Sequence, residues 1–163
     1  MLYNREAAVS YARKWALSRN PEFYDFQEIG GDCTNFASQC LYAGSGVMNF
    51  TPETGWYYIS LNSRAPAWTG AEYFARFLTN NQGAGPYGRV LPLYAALPGD
   101  FIQLSFDGEV FGHTLVVLET GFSPAPDNIL IAAHTYDSID RPLNTYYYNV
   151  SRLIHIDGVR EQE

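Results

Sequence analysis

Along the chain, apolar positions recur first with the period of a helix and then with the period of a strand. From residue 4 to 19, Ala8, Tyr11, Ala12, Trp15 and Ala16 fall at i, i+3, i+4, i+7 and i+8, with Asn4 placed as N-cap and Asn20-Pro21 as the stop. A second helix is predicted to open near Asp32 or Cys33 and to run to about Ala43, closed by Gly44-Ser45-Gly46. The segment "WTGAEYFARFL" predicts a third, with Thr69 and Glu72 at capping-box spacing and Trp68 and Tyr73 at the positions of a hydrophobic staple. After Pro98 the pattern turns to short apolar or alternating runs at 101–106, 113–119, 129–134, 146–150 and 153–156. Turn-forming stretches, "DGE", "GFSPAPDN" and "YDSIDRPLN", separate them. Helices followed by an antiparallel sheet is the order of an α+β domain.

The length of 163 residues is that of one domain able to bury a core without disulfide or metal support. Its 16% aromatic content suits a packed core and an aromatic-lined groove. The net charge is −7 and the basic residues are scattered arginines plus Lys14, so no positive stripe is present to neutralise phosphates. Nucleic acid and anionic membrane surfaces are therefore not expected partners. No run approaches the roughly 18 apolar residues of a membrane span, so no membrane insertion is expected. The start, "MLYNREAAVSYARKW", lacks the pattern of a secretion signal. A cytoplasmic protein and a domain of a longer secreted one both fit, and oligomeric state is not legible.

Both cysteines lie in "GGDCTNFASQC". On one helix, positions 33 and 40 sit roughly 10 Å apart at 1.5 Å per residue, too far for a disulfide or for two thiolates on one zinc ion. Cys40 joins Phe36, Ala37 and Leu41 on a core-facing stripe. Cys33 instead opens the helix, where unpaired backbone N–H groups and the helix dipole favour a thiolate, or where it is simply one more half-buried residue.

Three histidines are available. His113 begins the run "HTLVVLE" and His134 ends "ILIAAH"; if these segments pair as antiparallel neighbours, the two rings become adjacent. Cys33, His113 and His134 would then supply nucleophile, base and orienting group. Each histidine could equally be a hydrogen-bonded strand-end residue, and His155 is read that way. The same three residues could form an open zinc site, with Asp137 and Asp140 as the nearest supporting carboxylates. Asp32 reads as a helix-capping carboxylate.

The blocks "GGDCTNFASQCLYAGSG", "LPGDFIQL", "GHTLVVLE" and "ILIAAHT" resemble the family described as "putative amidase domain", itself similar to the NlpC/P60 and CHAP branches of the papain-like cysteine hydrolases, over residues 3 to about 156. The resemblance implies a papain-like α+β fold, with Cys33 as nucleophile, His113 as base and His134 as third residue; Asp137 and Asn144 are alternatives for the third. It implies the Cys33 N–H as one oxyanion-hole donor, with Gln27 at the spacing of a second. It also implies a peptide or peptidoglycan substrate, with no cofactor and no metal. Tyr24, Trp56, Tyr57, Tyr58 and Trp68 could line a groove for it or be ordinary core and cover. A cysteine amidase or peptidase is the expected activity; an inactive module on the same scaffold is the rival.

Overall fold

The computed structural model describes Met1–Glu161. Helix α1 (Arg5–Trp15) is capped by Asn4, whose Oδ1 accepts from the Ala7 amide at 3.0 Å. It ends a turn before Asn20-Pro21. Helix α2 (Cys33–Ser45) has almost no exposed face: it is the wall against which both α1 and the sheet pack. Gly46 ends it in the left-handed conformation, φ 68°, as a C-terminal glycine can without a Cβ penalty.

Two short strands follow, β1 (Tyr58–Ser60) and β2 (Ser63–Arg64), then α3 (Pro66–Thr69) and α4 (Ala71–Asn80). The third predicted helix is thus two, broken at Gly70. The capping box does not form, because its members are engaged elsewhere. Glu72 accepts from the Phe111 amide at 3.0 Å, and Thr69 Oγ1 accepts from Arg64 Nε at 3.2 Å.

A six-stranded antiparallel sheet completes the α+β architecture. Its strands are β3 (Gly85–Leu91), β4 (Phe101–Ser105), β5 (Phe111–Glu119), β6 (Leu130–Ala133), β7 (Ser138–Pro142) and β8 (Val150–Arg160), in the order β3-β8-β4-β5-β6-β7. Sequence pattern missed β3 and β7, both half-exposed edge strands without a clean alternation. It also assigned a strand to 146–150, where a helical turn (Leu143–Thr145) leads into an extended loop. One face of the sheet packs on α1, α2 and α4 through Phe101, Val116, Ala132 and Ile154; the other carries a second core built on Ile102, Leu104, Leu115, Val117 and Ile131.

Trp56 and Trp68 belong to the first core and are wholly buried, not groove lining. Their indole N–H groups donate to Ser38 Oγ and Asn35 Oδ1, both at 3.0 Å, which is what allows them inside. The N-terminus is pinned by charge: Arg5 donates to Asp100 Oδ1 at 2.7 Å, and His155 Nδ1 lies 2.9 Å from Asp100 Oδ2. His155 therefore has a carboxylate partner that sequence reading did not supply.

The α1–α2 crossing depends on Gly44. A Cβ there would stand 2.5 Å from Tyr3 Cε1 and 2.7 Å from the Asn4 carbonyl oxygen. In an open helix Gly→Ala gains about 1 kcal/mol, whereas overpacking costs about 1–3 kcal/mol. Clash wins here, so Gly44→Ala should lower stability by about 1 to 2 kcal/mol in urea unfolding; an increase would contradict this packing.

Candidate active site

Cys33 is the first residue of α2 and is 9% exposed. Its thiol lies 3.9 Å from the Gly112 carbonyl oxygen and 3.8 Å from Thr34 Oγ1, and the Thr34 and Thr114 backbone amides donate toward the sulfur. Strand β6 ends at Ala133, after pairing Ala132 with Val116; the stretch of β5 it leaves unpaired is where the sulfur sits. Burial pushes the thiol up from its ordinary value, the hydrogen bonds pull it down, and the Asp32 charge adds a smaller upward push. Cys40 lies fully buried in the core two turns on, and both cysteines are free.

His113 stands between the two β5 residues that touch the sulfur. A bulge separates it from Phe111, so that His113 faces Leu104 while Phe111 faces Ser105. Its ring packs against Tyr146, centroids 5.7 Å apart, and lies 6.3 Å from Phe106. Burial, and secondarily the Arg141 charge, lower its pKa to about 4, so the imidazole is neutral at pH 7. No hydrogen bond joins Cys33 Sγ to the ring among the described residues; such bonds commonly tighten only when substrate binds.

His134 is elsewhere than expected. The segments carrying the two histidines do pair antiparallel, but the register sets Ala132 opposite Val116, so His134 shares the helix-side face with Thr114 and Val116. His113 shares the other face with Leu115 and Val117. A side-chain period of two makes this one-residue offset decisive. The predicted His113–His134 contact is thereby corrected: His134 stacks on Phe36 at 4.0 Å, its Nδ1 is 2.5 Å from Asp32 Oδ2, and its Nε2 donates to the Trp15 carbonyl at 2.8 Å.

Asp32 does not cap α2 with its side chain. Oδ1 accepts from the Phe26 amide and from Asn35 Nδ2, both at 2.8 Å. Nε2 of His134 faces the Arg19 guanidinium as well, with Arg19 Nη1 at 3.3 Å. Arg19 closes this cluster, with Nε 3.5 Å from Asp32 Oδ2 and 3.2 Å from Asp25 Oδ1, and Nη1 2.9 Å from Asp137 Oδ2.

Of the other sequence candidates, Asp137 is held by Arg19, and Gln27 accepts weakly from Arg19 at 3.4 Å. Asp140 pairs with Arg13 at 3.0 Å. Asn144 is exposed and lines a cavity of about 440 Å³ together with Pro126, Tyr146, Tyr147 and Tyr148. Tyr146 joins that cavity to His113. A cavity of about 810 Å³ lined by Tyr73, Arg76 and Asn49, among others, lies past the far end of α2 and touches neither cysteine nor any histidine. Its size does not place it at the chemistry. Among the described residues no three His, Cys, Asp or Glu side chains group as a metal ligand set, and the zinc alternative fails on the same register that separates the two histidines.

A family model described as "putative amidase domain" matches residues 2–156. The chain belongs to this family. An uncharacterized Bacillus subtilis protein, YhbB, is 36% identical over 139 residues, which is 83% of this chain and 42% of that relative. The chain thus spans less than half the length of the curated relative it matches. No solved structure matches. An amidase-type hydrolase is the activity the family description carries.

A depressed histidine pKa has a stability consequence. His113 takes up its proton near pH 6.5 when unfolded and near pH 4 when folded, so the unfolded state binds more protons between these values. Stability is lost as pH falls through that window. Relative to His113→Gln, the wild type should lose on the order of 2–3 kcal/mol between pH 7 and pH 4 in urea unfolding. Parallel pH profiles for the two proteins would show that His113 is not held neutral.

Proposed function

We propose that the protein is a cysteine-dependent amidase or peptidase, built as one papain-like domain similar to NlpC/P60 and CHAP domains. The observation that carries this reading is the seat of the Cys33 sulfur, at the start of a buried helix and against the two residues that flank His113. A helix start offers unpaired N–H groups and the positive end of the dipole to a developing negative charge.

Both partners are neutral at rest in this reading, so His113 acts as a general base during attack. The sulfur bonds to the amide carbonyl carbon as His113 takes the thiol proton, and the carbonyl π-electrons move onto oxygen. The resulting oxyanion faces the Cys33 backbone N–H. Collapse expels the amine, which takes the proton from His113, and leaves a thioester. Water then attacks the thioester with His113 again as base, releasing the acid and restoring the thiol. The Tyr146–Tyr148 cavity, whose Tyr146 packs against His113, is the proposed seat of the substrate. A peptide of the bacterial cell wall is the proposed substrate class, supported by the resemblance to cell-wall hydrolases. His134 serves the site through Asp32, which it holds in place directly before Cys33.

Iodoacetamide labelling of Cys33, quantified by peptide mass mapping so that Cys40 is counted separately, tests the pairing. At pH 7 the wild type should label at least about tenfold faster than His113→Ala, given the usual size of a general-base contribution. Equal rates, at the level of an ordinary thiol, would remove the mechanism.

A further inference from the structure

A row of polar side chains crosses the apolar, helix-facing side of the sheet and ends on Cys33. Gln103, Thr114 and Thr34 are at most 2% exposed. The register sets Gln103 of β4 opposite Thr114 of β5 on one side and opposite Arg152 of β8 on the other. Arg152 Nη2 and Nε donate to Gln103 Oε1 at 2.6 and 2.9 Å. Gln103 Nε2 donates to the Ala71 carbonyl at 2.8 Å and to Thr114 Oγ1 at 3.2 Å. Thr114 Oγ1 is 2.9 Å from Thr34 Oγ1, which is 3.8 Å from Cys33 Sγ.

The outer end of this row fixes the orientation of the Gln103 amide. A guanidinium only donates, so Oε1 of Gln103 must be the atom facing Arg152, and the Ala71 carbonyl, which only accepts, demands Nε2 on the other side. Thr114 Oγ1 then accepts from Gln103, and its one proton is free for Thr34 Oγ1. Thr34, accepting that proton, has its own free for the sulfur. Arg152 is itself held in place, 3.5 Å from Glu72 Oε2 and 4.0 Å above the Phe111 ring. Burying the three inner groups, Gln103, Thr114 and Thr34, in an apolar layer is costly unless each is partnered, and here each is.

We propose that Arg152, Gln103, Thr114 and Thr34 form a hydrogen-bond row of fixed polarity that presents a donor to the Cys33 sulfur and thereby favours its thiolate. The row rests on the reading of Cys33 as nucleophile and deepens it: these are positioning residues, acting through Thr34 from up to three strands away. Bonds in such a chain polarise one another, and a donor to the charged form lowers the pKa of the group that receives it. Against it stand burial and the charge on Asp32. The remaining charged or titratable groups around the sulfur are the His134–Asp32 pair with Arg19 before α2, His113 on β5, and Tyr146 with Arg141 beyond it.

The pH dependence of Cys33 alkylation in the full chain separates this role from a structural one. Thr34→Val keeps the shape and removes the last donor; it should move the alkylation midpoint upward, slowing the reaction about three- to tenfold at pH 7, while the limiting rate at high pH is unchanged. Thr114→Val, two bonds from the sulfur, should move it the same way by less, and Thr34→Ser should stay within about twofold of wild type. Unmoved midpoints in both valine variants, or a fall in the limiting rate alone, would overturn the proposal. An ordinary wild-type rate that is insensitive to His113 would instead remove the catalytic reading, and the midpoint comparison would still decide the row.

Discussion

The first turn of α2 is buried against a sheet, and the rest of the site follows from that constraint. A helix start carries backbone N–H groups with no partner inside the helix, and away from water each one demands an acceptor. Burial alone works against a thiolate at Cys33. On the proposed reading, what makes the position reactive is supplied by fixed neighbours, and the molecule places them on three sides. Backbone amides of Thr34 and Thr114 reach the sulfur directly, the hydrogen-bonded Asp32–His134 pair lies behind it, and a row of polar side chains arrives from the sheet.

These arrangements depend on the same packing. The Asp32–His134 pair ties α2 to the end of β6, to the Trp15 carbonyl at the end of α1 and, through Arg19, to the loop before Cys33. At the other end of α1, Arg5 and His155 converge on Asp100. Helix α1 is thus held by a partly buried polar cluster at each end and by the close approach at Gly44 in between. Breaking one partner of such a buried pair strands the other, which costs far more than the pair is worth as a whole. Their value lies in fixing one arrangement of the helix start.

Much of this was legible in the sequence. Helix periodicity found α1 and α2 and placed Cys33 at a helix start and Cys40 in the core, and the apolar runs found β5, which carries His113, and β6, which ends one residue before His134. What could not be read was register. Whether His134 lies beside His113 or on the opposite face turns on a one-residue offset between β5 and β6, and the loop connecting them does not reveal it. Arg19, Gln103 and Arg152 were missed because nothing local marks a polar residue that is satisfied only by partners far along the chain. One signal was available: Gln103 interrupts the apolar run "FIQLS", and a polar residue inside a buried strand has to have a partner. The capping box at Thr69 and Glu72 failed for the complementary reason, since tertiary partners outbid the local motif.

The central claim is that Cys33 forms a covalent acyl intermediate with His113 as its base. Incubation with p-nitrophenyl acetate, followed by intact-protein and peptide mass spectrometry over time, addresses it without knowledge of the natural substrate. The account predicts an acetyl group on Cys33 that accumulates and then decays, is absent in Cys33→Ala, and forms and decays more slowly in His113→Ala. Acetylation that spares Cys33, or that proceeds equally in the His113 variant, would contradict it.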